Sequence, residues 1–245
     1  MNQAPQTPLV RFYRTPSMQC PYLPDRTEQL VFTHLGAGSA DRMHGVLAQA
    51  GFRRSHNIAY RPDCPACNAC VPVRVRATAF SPSRSQKRIR SLNRETTSIV
   101  CAAEASQEQF DLFVRYQQSR HGDGSMAKMD FADYQAMVED TPIKTFIVEH
   151  RDADGRLIAC ALSDVLADGL SMVYSFFDPA FSSQSLGTFM ILDHMARAPA
   201  LGLDYVYLGY WIENCEKMAY KDRFEPLESL SRGGWKPFSR SASLS

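Results

Sequence analysis

The sequence predicts a mixed α/β fold, with one sheet flanked by helices. Two observations predict it: short apolar segments typical of strands recur at 71–80, 170–177 and 205–212, and helical segments that begin at capping residues lie between such strands. With 44% hydrophobic and 22% charged residues, the 245-residue chain has an ordinary globular composition. Its length suits one large domain or two small ones.

The first part of the chain, residues 1–100, is predicted to contain short strands at 9–13 and 29–35 and a helix at 39–50. In the segment 71–80, three valines alternate with a proline and two arginines. This alternation predicts a strand with one buried face and one basic face.

The second part, residues 101–237, is predicted to run helix, helix, hairpin, strand, helix, strand, helix. The segments are 106–117, 130–138, 144–165, 170–177, 186–198, 205–212 and 215–223. This order is compatible with an N-acetyltransferase-like sheet that has helices on both faces. The serine-rich tail, residues 238–245, is predicted to be disordered.

The chain shows neither an apolar run of about 18–20 residues, as a membrane-spanning helix needs, nor a secretory signal. We therefore expect a cytoplasmic protein whose seven cysteines are reduced. The formal net charge is +1, so any nucleic-acid binding must depend on locally concentrated basic residues.

Four cysteines suggest a metal or cluster site. Cys64, Cys67 and Cys70 are separated by two residues each, and Cys20 lies upstream. Such spacing lets neighbouring thiolates point at one centre, and zinc or an iron–sulfur cluster would both fit. Small buried cysteines or a redox pair are the alternatives, and a single distant cysteine is weak evidence for a fourth ligand.

A basic stretch follows the cysteines. Between Cys64 and Arg94 there are seven Lys and Arg residues and no Asp or Glu. From Ser83 the segment is predicted to be a helix with a basic stripe, which is typical of phosphate binding. The candidate RNA-binding residues are Arg84, Lys87, Arg88, Arg90 and Arg94. A solvated helix face is the alternative.

Several motifs together resemble one family. They include CPYLPDR, YRPDCPACNACVPVRV, SRSQKRIRSLNRE, YSFFDP, SLGTFMILDHM and LGYWIENCEKMAYKDRF, in family order from Phe12 to Trp235. The chain thus resembles bacterial aspartate/glutamate leucyltransferases, which are related to the arginyl-tRNA–protein transferases.

The resemblance implies an acetyltransferase-like fold without acetyl-CoA, and transfer of leucine from leucyl-tRNA to proteins with N-terminal Asp or Glu. The product would be marked for degradation by the N-end rule. It also implies that the four cysteines form the family's N-terminal cysteine motif. Transfer itself would need no cofactor, and neither a membrane nor DNA is an implied partner. The segment SQSLG has one glycine, which departs from the acetyltransferase phosphate loop.

This chemistry suggests site residues. An aminoacyl-tRNA ester is already activated, so the enzyme must chiefly position the amine and stabilise the oxyanion. The candidates for orienting the amine or the ester are Tyr174, Asp178 and Tyr220, and the candidates for binding an acidic acceptor are Arg120, Lys217 and Arg223. Phe176, Phe189 or Met190 could line a pocket for an apolar donor side chain. Spacing identifies no general base.

Three other functions remain open at this point. An arginyl transferase would need a buried carboxylate in its donor pocket, whereas a leucyl transferase would not. A non-catalytic tRNA-binding protein would bind RNA without turnover. A small-molecule N-acyltransferase that uses coenzyme A is disfavoured by the weak phosphate loop.

Overall fold

The computed structural model describes residues 10–36, 38–122 and 124–240. Its helices are α1 (Ala40–Gln49), α2 (Arg84–Leu92), α3 (Gln107–His121), α4 (Phe131–Glu139), α5 (Leu186–Ala200) and α6 (Glu216–Ala219). Its strands are β1 (Tyr13–Arg14), β2 (Met18–Gln19), β3 (Thr27–Glu28), β4 (Leu30–His34), β5 (Arg53–Ser55), β6 (Ile58–Pro62), β7 (Val71–Arg76), β8 (Thr97–Ala102), β9 (Thr145–Arg151), β10 (Leu157–Val165), β11 (Gly169–Phe177), β12 (Tyr205–Trp211), β13 (Leu227–Ser231) and β14 (Gly234–Pro237).

The strands form one large sheet and two smaller ones. The eight-stranded sheet has the order β14-β13-β7-β12-β11-β10-β9-β8, and the four-stranded sheet has the order β1-β4-β6-β5. Within the large sheet β11 and β12 are parallel, and all other neighbours are antiparallel. The mixed α/β class predicted from the sequence is therefore confirmed.

Helices cover both faces of the large sheet because its central strands are apolar on both faces. On β10, Ala159 and Ala161 pack into the core beneath α5, whereas Cys160 and Leu162 pack into the core beneath α3 and α4. Capping boxes begin the helices on both sides: the side chain of Ser83 accepts a hydrogen bond at the start of α2, and Ser106 does so at the start of α3.

The four-stranded sheet is fixed to the large one by a buried ion pair. The Arg54 guanidinium donates from Nε and Nη2 to the two oxygens of Asp164, each at 2.8 Å, and both side chains are fully buried. His44 on α1 approaches the same carboxylate at 3.2 Å. Since Arg54 lies on β5 and Asp164 on β10, this cluster sets how the two sheets meet.

Two predicted boundaries need correction. The division at residue 100 does not coincide with a break in the sheet, because β7 pairs with β12 and β8 pairs with β9. The predicted disordered tail starts too early, because the Phe238 ring packs on Trp211 at 4.9 Å between centroids. The remainder of that tail, residues 241–245, lies outside the described residues.

The predicted basic face of β7 is also wrong. Arg74 is buried, and its guanidinium lies over the rings of Tyr205 at 3.6 Å and Trp235 at 4.4 Å. Arg74 and Arg76 both donate to Glu228 on the neighbouring β13. Arg74 also lies 3.5 Å from Asp168, so two carboxylates balance the two guanidinium groups and this face offers little to a phosphate.

No helix within the described ranges is both long and apolar enough to cross a membrane.

Candidate active site

A split between the two parallel strands creates the site. β11 and β12 pair only where Gly169–Ser171 faces Tyr205–Tyr207. The next residues of β12 form a bulge that ends at Gly209, whose φ of +78° is in the region that favours glycine. Beyond this point the main-chain carbonyl groups of the two strands need other partners.

Arg53 supplies those partners. Its Nη2 donates to the carbonyl oxygens of Met172 and Val173, both at 2.8 Å, and its Nη1 donates to that of Leu208 at 3.3 Å. One guanidinium from the small sheet therefore bridges the two strands of the split. No carboxylate of residues 10–36, 38–122 or 124–240 lies within ion-pair distance of Arg53. The site thus contains a fixed positive charge balanced by carbonyl dipoles.

A cavity of about 810 Å³ lies over the split. Its lining comes from β5, β6, β11, β12, the ends of α3 and α5, and the segment from α6 to the turn at Tyr220–Arg223. It is large enough for an aminoacyl group together with the end of a peptide. The serine-rich turn before α5 also reaches it through Ser185, whose φ of 54° is left-handed.

Two of the three predicted orienting residues line this cavity. Tyr174 accepts a hydrogen bond from Gln117 Nε2 at 2.6 Å, which fixes its hydroxyl group. Tyr220 also lines the cavity, and burial raises its pKa to about 12. Burial raises the pKa of Tyr174 as well. Both hydroxyl groups stay protonated near neutral pH and can donate a hydrogen bond to a developing oxyanion.

The third predicted orienting residue has a different position. Asp178 is buried at the end of β11, where its Oδ2 accepts from Arg156 at 2.6 Å and its Oδ1 accepts from the main-chain N–H of Ala180 at 3.0 Å. Arg115 approaches the same carboxylate at 3.5 Å. These contacts occupy Asp178 in holding the strand end, so the geometry does not favour its predicted catalytic role.

Of the three residues predicted to bind the acceptor carboxylate, two line the cavity and one does not. Arg120 and Lys217 line the cavity, are exposed, and come together where Lys217 Nζ donates to the Arg120 carbonyl oxygen at 3.4 Å. The Arg120 guanidinium lies over the Phe177 ring at 5.4 Å. Arg223 is exposed beside α2, where its carbonyl oxygen accepts from Gln86, and it does not line the cavity.

The apolar part of the cavity differs from the prediction. Phe176 and Met190 are buried in the two cores, and Phe189 packs against His150. Methionine side chains line the cavity instead, at positions 126, 129, 137 and 172. Spacing could not identify them, because three of them come from irregular or helical segments that only the tertiary fold brings together.

The four predicted cysteine ligands border one small pocket. Cys20, Cys64, Cys67 and Cys70 line it together with Tyr22, and nearby cysteines add to burial in raising the pKa of Cys70 to about 12. The donors are of the type that zinc and iron–sulfur clusters prefer. Nevertheless, within the described part of the chain no three Cys, His, Asp or Glu side chains are arranged to hold a metal ion. The metal site stays a prediction.

The basic helix is formed as predicted, with one change. α2 ends at Leu92, so Arg94 follows the helix and pairs with Glu95 at 3.4 Å. The five predicted RNA-binding side chains are exposed, and within the described ranges Arg94 alone among them makes an ion pair. The cationic groups of α2 are therefore available to a polyanion.

The fold and the site together fit an acyltransferase: the mixed sheet splits between β11 and β12, and hydroxyl, amine and guanidinium groups line the cavity over the split. The family models "Arginine-tRNA-protein transferase, N terminus" and "Arginine-tRNA-protein transferase, C terminus" match residues 18–88 and 108–231. The chain belongs to the arginine-tRNA-protein transferase family and is an aminoacyltransferase. The resemblance seen in the sequence is confirmed.

Relatives named "Aspartate/glutamate leucyltransferase" are similar over nearly the whole chain. That of Paramagnetospirillum magneticum is 52% identical, covering 93% of each chain, and that of Agrobacterium fabrum is 50% identical, covering 95% of this chain and 96% of the relative. That of Granulibacter bethesdensis is 52% identical over 94% of this chain and 86% of the relative. The crystal structure of FemX is 10% identical with a TM-score of 0.47, covering 85% of this chain and 81% of FemX.

Proposed function

We propose that the protein transfers leucine from leucyl-tRNA to the N-terminal Asp or Glu of acceptor proteins, in the cytoplasm, and thereby tags them for N-end-rule degradation. The near-full-length similarity to aspartate/glutamate leucyltransferases carries the proposal. The cavity over the split strands supports it, because each part of the reaction has a matching set of side chains there.

The donor side chain fits the apolar part of the cavity. Met126, Met129, Met137 and Met172 are flexible and apolar, so they can pack around a leucyl group. An arginyl donor would need a buried carboxylate. Among the described lining residues the only acid is Glu216, which is exposed. These observations favour leucine over arginine as the transferred amino acid.

The acceptor carboxylate fits the cationic mouth. Arg120 and Lys217 converge on one side of the cavity and can bind the side chain of an N-terminal Asp or Glu. Tyr174 and Tyr220 can then donate hydrogen bonds to the carbonyl oxygen of the ester as it becomes negative. The fixed positive charge of Arg53 also stabilises this developing negative charge. The ester is already activated, so the transfer needs no further cofactor.

The donor RNA requires a phosphate-binding surface, for which we propose α2. Replacing Lys87, Arg88 and Arg90 together by alanine should weaken tRNA binding and lower the slope of log K against log salt by about 2–3, because three phosphate contacts would be lost. Filter binding of charged tRNA between 50 and 200 mM salt, roughly the range in which such losses are large, measures it.

The control for α2 is a variant with Arg42 and Lys144 changed to alanine, since both residues are exposed cations outside α2. An unchanged salt slope in the triple variant, or an equal change in the control, would show that α2 is not the phosphate-binding surface.

The function itself is tested by amino-acid transfer from charged tRNA to peptides that differ only at the first residue. Peptides beginning with Asp, Glu, Lys or Ala are each combined with leucyl-tRNA or arginyl-tRNA. We expect leucine on the Asp and Glu peptides alone. Arginine transfer would change the donor assignment, and tRNA binding without any transfer would indicate a non-catalytic binding protein.

A further inference from the structure

A buried lysine lies in the wall of the active-site cavity. Lys221 lines the cavity from the turn Tyr220–Arg223, which follows α6, and its side chain is almost fully buried. Its Nζ donates to the carbonyl oxygen of Tyr210 at 2.6 Å and lies 3.2 Å from the Met218 sulfur. Neither partner carries a charge, so neither compensates for the loss of water around an ammonium group.

The charged groups around Lys221 do not include an acid. Within the described ranges no carboxylate lies within ion-pair distance of its ammonium group. The ionisable groups that act on it are the Arg53 guanidinium on β5 and the thiols of Cys215 and Cys70. Burial, together with the positive charge of Arg53, lowers the pKa of Lys221 to about 7. A neutral amine is therefore populated at physiological pH.

The transfer reaction needs a group of this kind. When the neutral α-amine attacks the ester carbonyl, its nitrogen becomes positively charged and must lose a proton. The departing ribose oxygen must gain one as the carbon–oxygen bond breaks. A group whose pKa is near the working pH can perform both steps, since it is a competent base in one form and a competent acid in the other.

We propose that the Lys221 amine accepts the proton released by the attacking nitrogen and delivers it to the departing ribose oxygen. The new carbon–nitrogen bond forms from the amine's electron pair, and the electron pair of the broken carbon–oxygen bond stays with the ribose oxygen. No proton is consumed overall. This inference rests on the proposed function, and it assigns a proton-transfer role that the sequence spacing left open.

The test compares wild-type protein with Lys221→Met. Methionine has a similar length and no charge to bury, which offsets the lost hydrogen bond to the Tyr210 carbonyl oxygen, so the variant should fold. We expect its single-turnover transfer rate to fall by about 10²–10⁴-fold, with unchanged affinity for charged tRNA. Lys144→Met, at an exposed position, is the matched control.

The pH profile separates proton transfer from a structural role. Below pH 7 the wild-type rate should rise with a slope near 2 in log kcat/KM against pH, because both Lys221 and the acceptor amine, whose pKa is about 7.7–8.0, must be neutral. Lys221→Met should keep a slope near 1 from the amine alone. Short reaction times limit hydrolysis of the ester.

The outcomes are distinguishable. A folded Lys221→Met protein that keeps the wild-type rate, or that loses rate while keeping a slope of 2, would overturn the role of Lys221 and leave the proposed function intact. A wild-type protein that transfers neither leucine nor arginine to any of the four peptides would instead overturn the proposed function.

Discussion

Replacing Gly209 with alanine is expected to reduce transfer by more than about 100-fold, because the added methyl group would expel Arg53 from the split between the strands. A Cβ atom at this position would lie 1.4 Å from Arg53 Nη1 and 2.5 Å from its Cζ. The guanidinium is at the end of a flexible side chain, so it can move away. It would then lose its hydrogen bonds to three carbonyl oxygens, and we expect stability to fall by about 2–4 kcal/mol.

Gly202→Ala is the control for backbone strain. Gly202 has a φ of +73°, close to that of Gly209, but a Cβ atom there would have nothing within 4 Å. This variant should lose about 1–2 kcal/mol and retain its transfer rate. If both variants lost activity equally, the effect at Gly209 would be strain in the bulge and not displacement of Arg53.

The coupling between the two residues can be measured directly. In an Arg53→Met background the Gly209→Ala change should have a much smaller effect, since the group that it displaces is already absent. Urea unfolding and single-turnover transfer of the four proteins give the coupling free energy. Additive effects in both assays would show that the Gly209→Ala change does not act by displacing Arg53.

Arg54→Met is expected to lower the free energy of unfolding by about 3–5 kcal/mol, because it leaves the Asp164 carboxylate buried without its bidentate partner. The double variant Arg54→Met, Asp164→Leu should be more stable than Arg54→Met alone, since it removes the uncompensated charge. Denaturation in urea measures both. A double variant no more stable than Arg54→Met would show that the uncompensated Asp164 charge is not the source of the loss.

A surface ion pair supplies the comparison. Arg14 and Asp63 form one in which both side chains are exposed, and Arg14→Met should change stability by less than about 1 kcal/mol. The buried and exposed pairs are the same in chemistry, so the difference between the two variants isolates the effect of burial.

The buried ion pair also makes the free energy of unfolding depend on pH in the acid range. Burial would raise the pKa of Asp164, but the nearby His44 ring and the hydrogen-bonded Arg54 guanidinium outweigh it and hold the pKa below its ordinary value of 3.8. The ionised Asp164 therefore stabilises the fold fully above its unfolded-state pKa of 3.8. This stabilisation is lost as the pH falls through the lower pKa that Asp164 has in the folded state. In Asp164→Asn this part of the acid dependence should be absent.

Local sequence patterns predicted the elements whose structure depends on contacts between neighbouring residues. The serine caps at Ser83 and Ser106 begin helices as expected, because capping is a contact within four residues. Val73 and Val75 of β7 are buried as expected and Val71 is partly buried, but the arginines of this strand do not form a basic surface. Their partner Glu228 lies more than 150 residues away in the chain.

The candidate site was predictable only in part. Tyr174, Tyr220, Arg120 and Lys217, chosen from the chemistry of the reaction, line one cavity, and their roles stay predictions. The catalytic role predicted for Asp178 is not favoured, because its position just after β11 in the sequence does not reveal that Arg156 and Arg115 approach its carboxylate. Arg53 and Gly209 were overlooked because neither belongs to a periodic pattern, although a glycine inside a strand can indicate a bulge or a close approach.

By itself the sequence determined the order of helices and strands from α3 to α6, the mixed α/β class, the cysteine spacing, the basic helix and the resemblance to an aminoacyltransferase family. All of these depend on neighbouring residues or on motifs in fixed order. The tertiary structure alone decided that Arg53 bridges the two strands and that Lys221 lines the cavity with no carboxylate of the described residues at ion-pair distance. The physical reason is that burial and the distances between remote charges set the ionisation and contacts of these groups, and no local pattern encodes them.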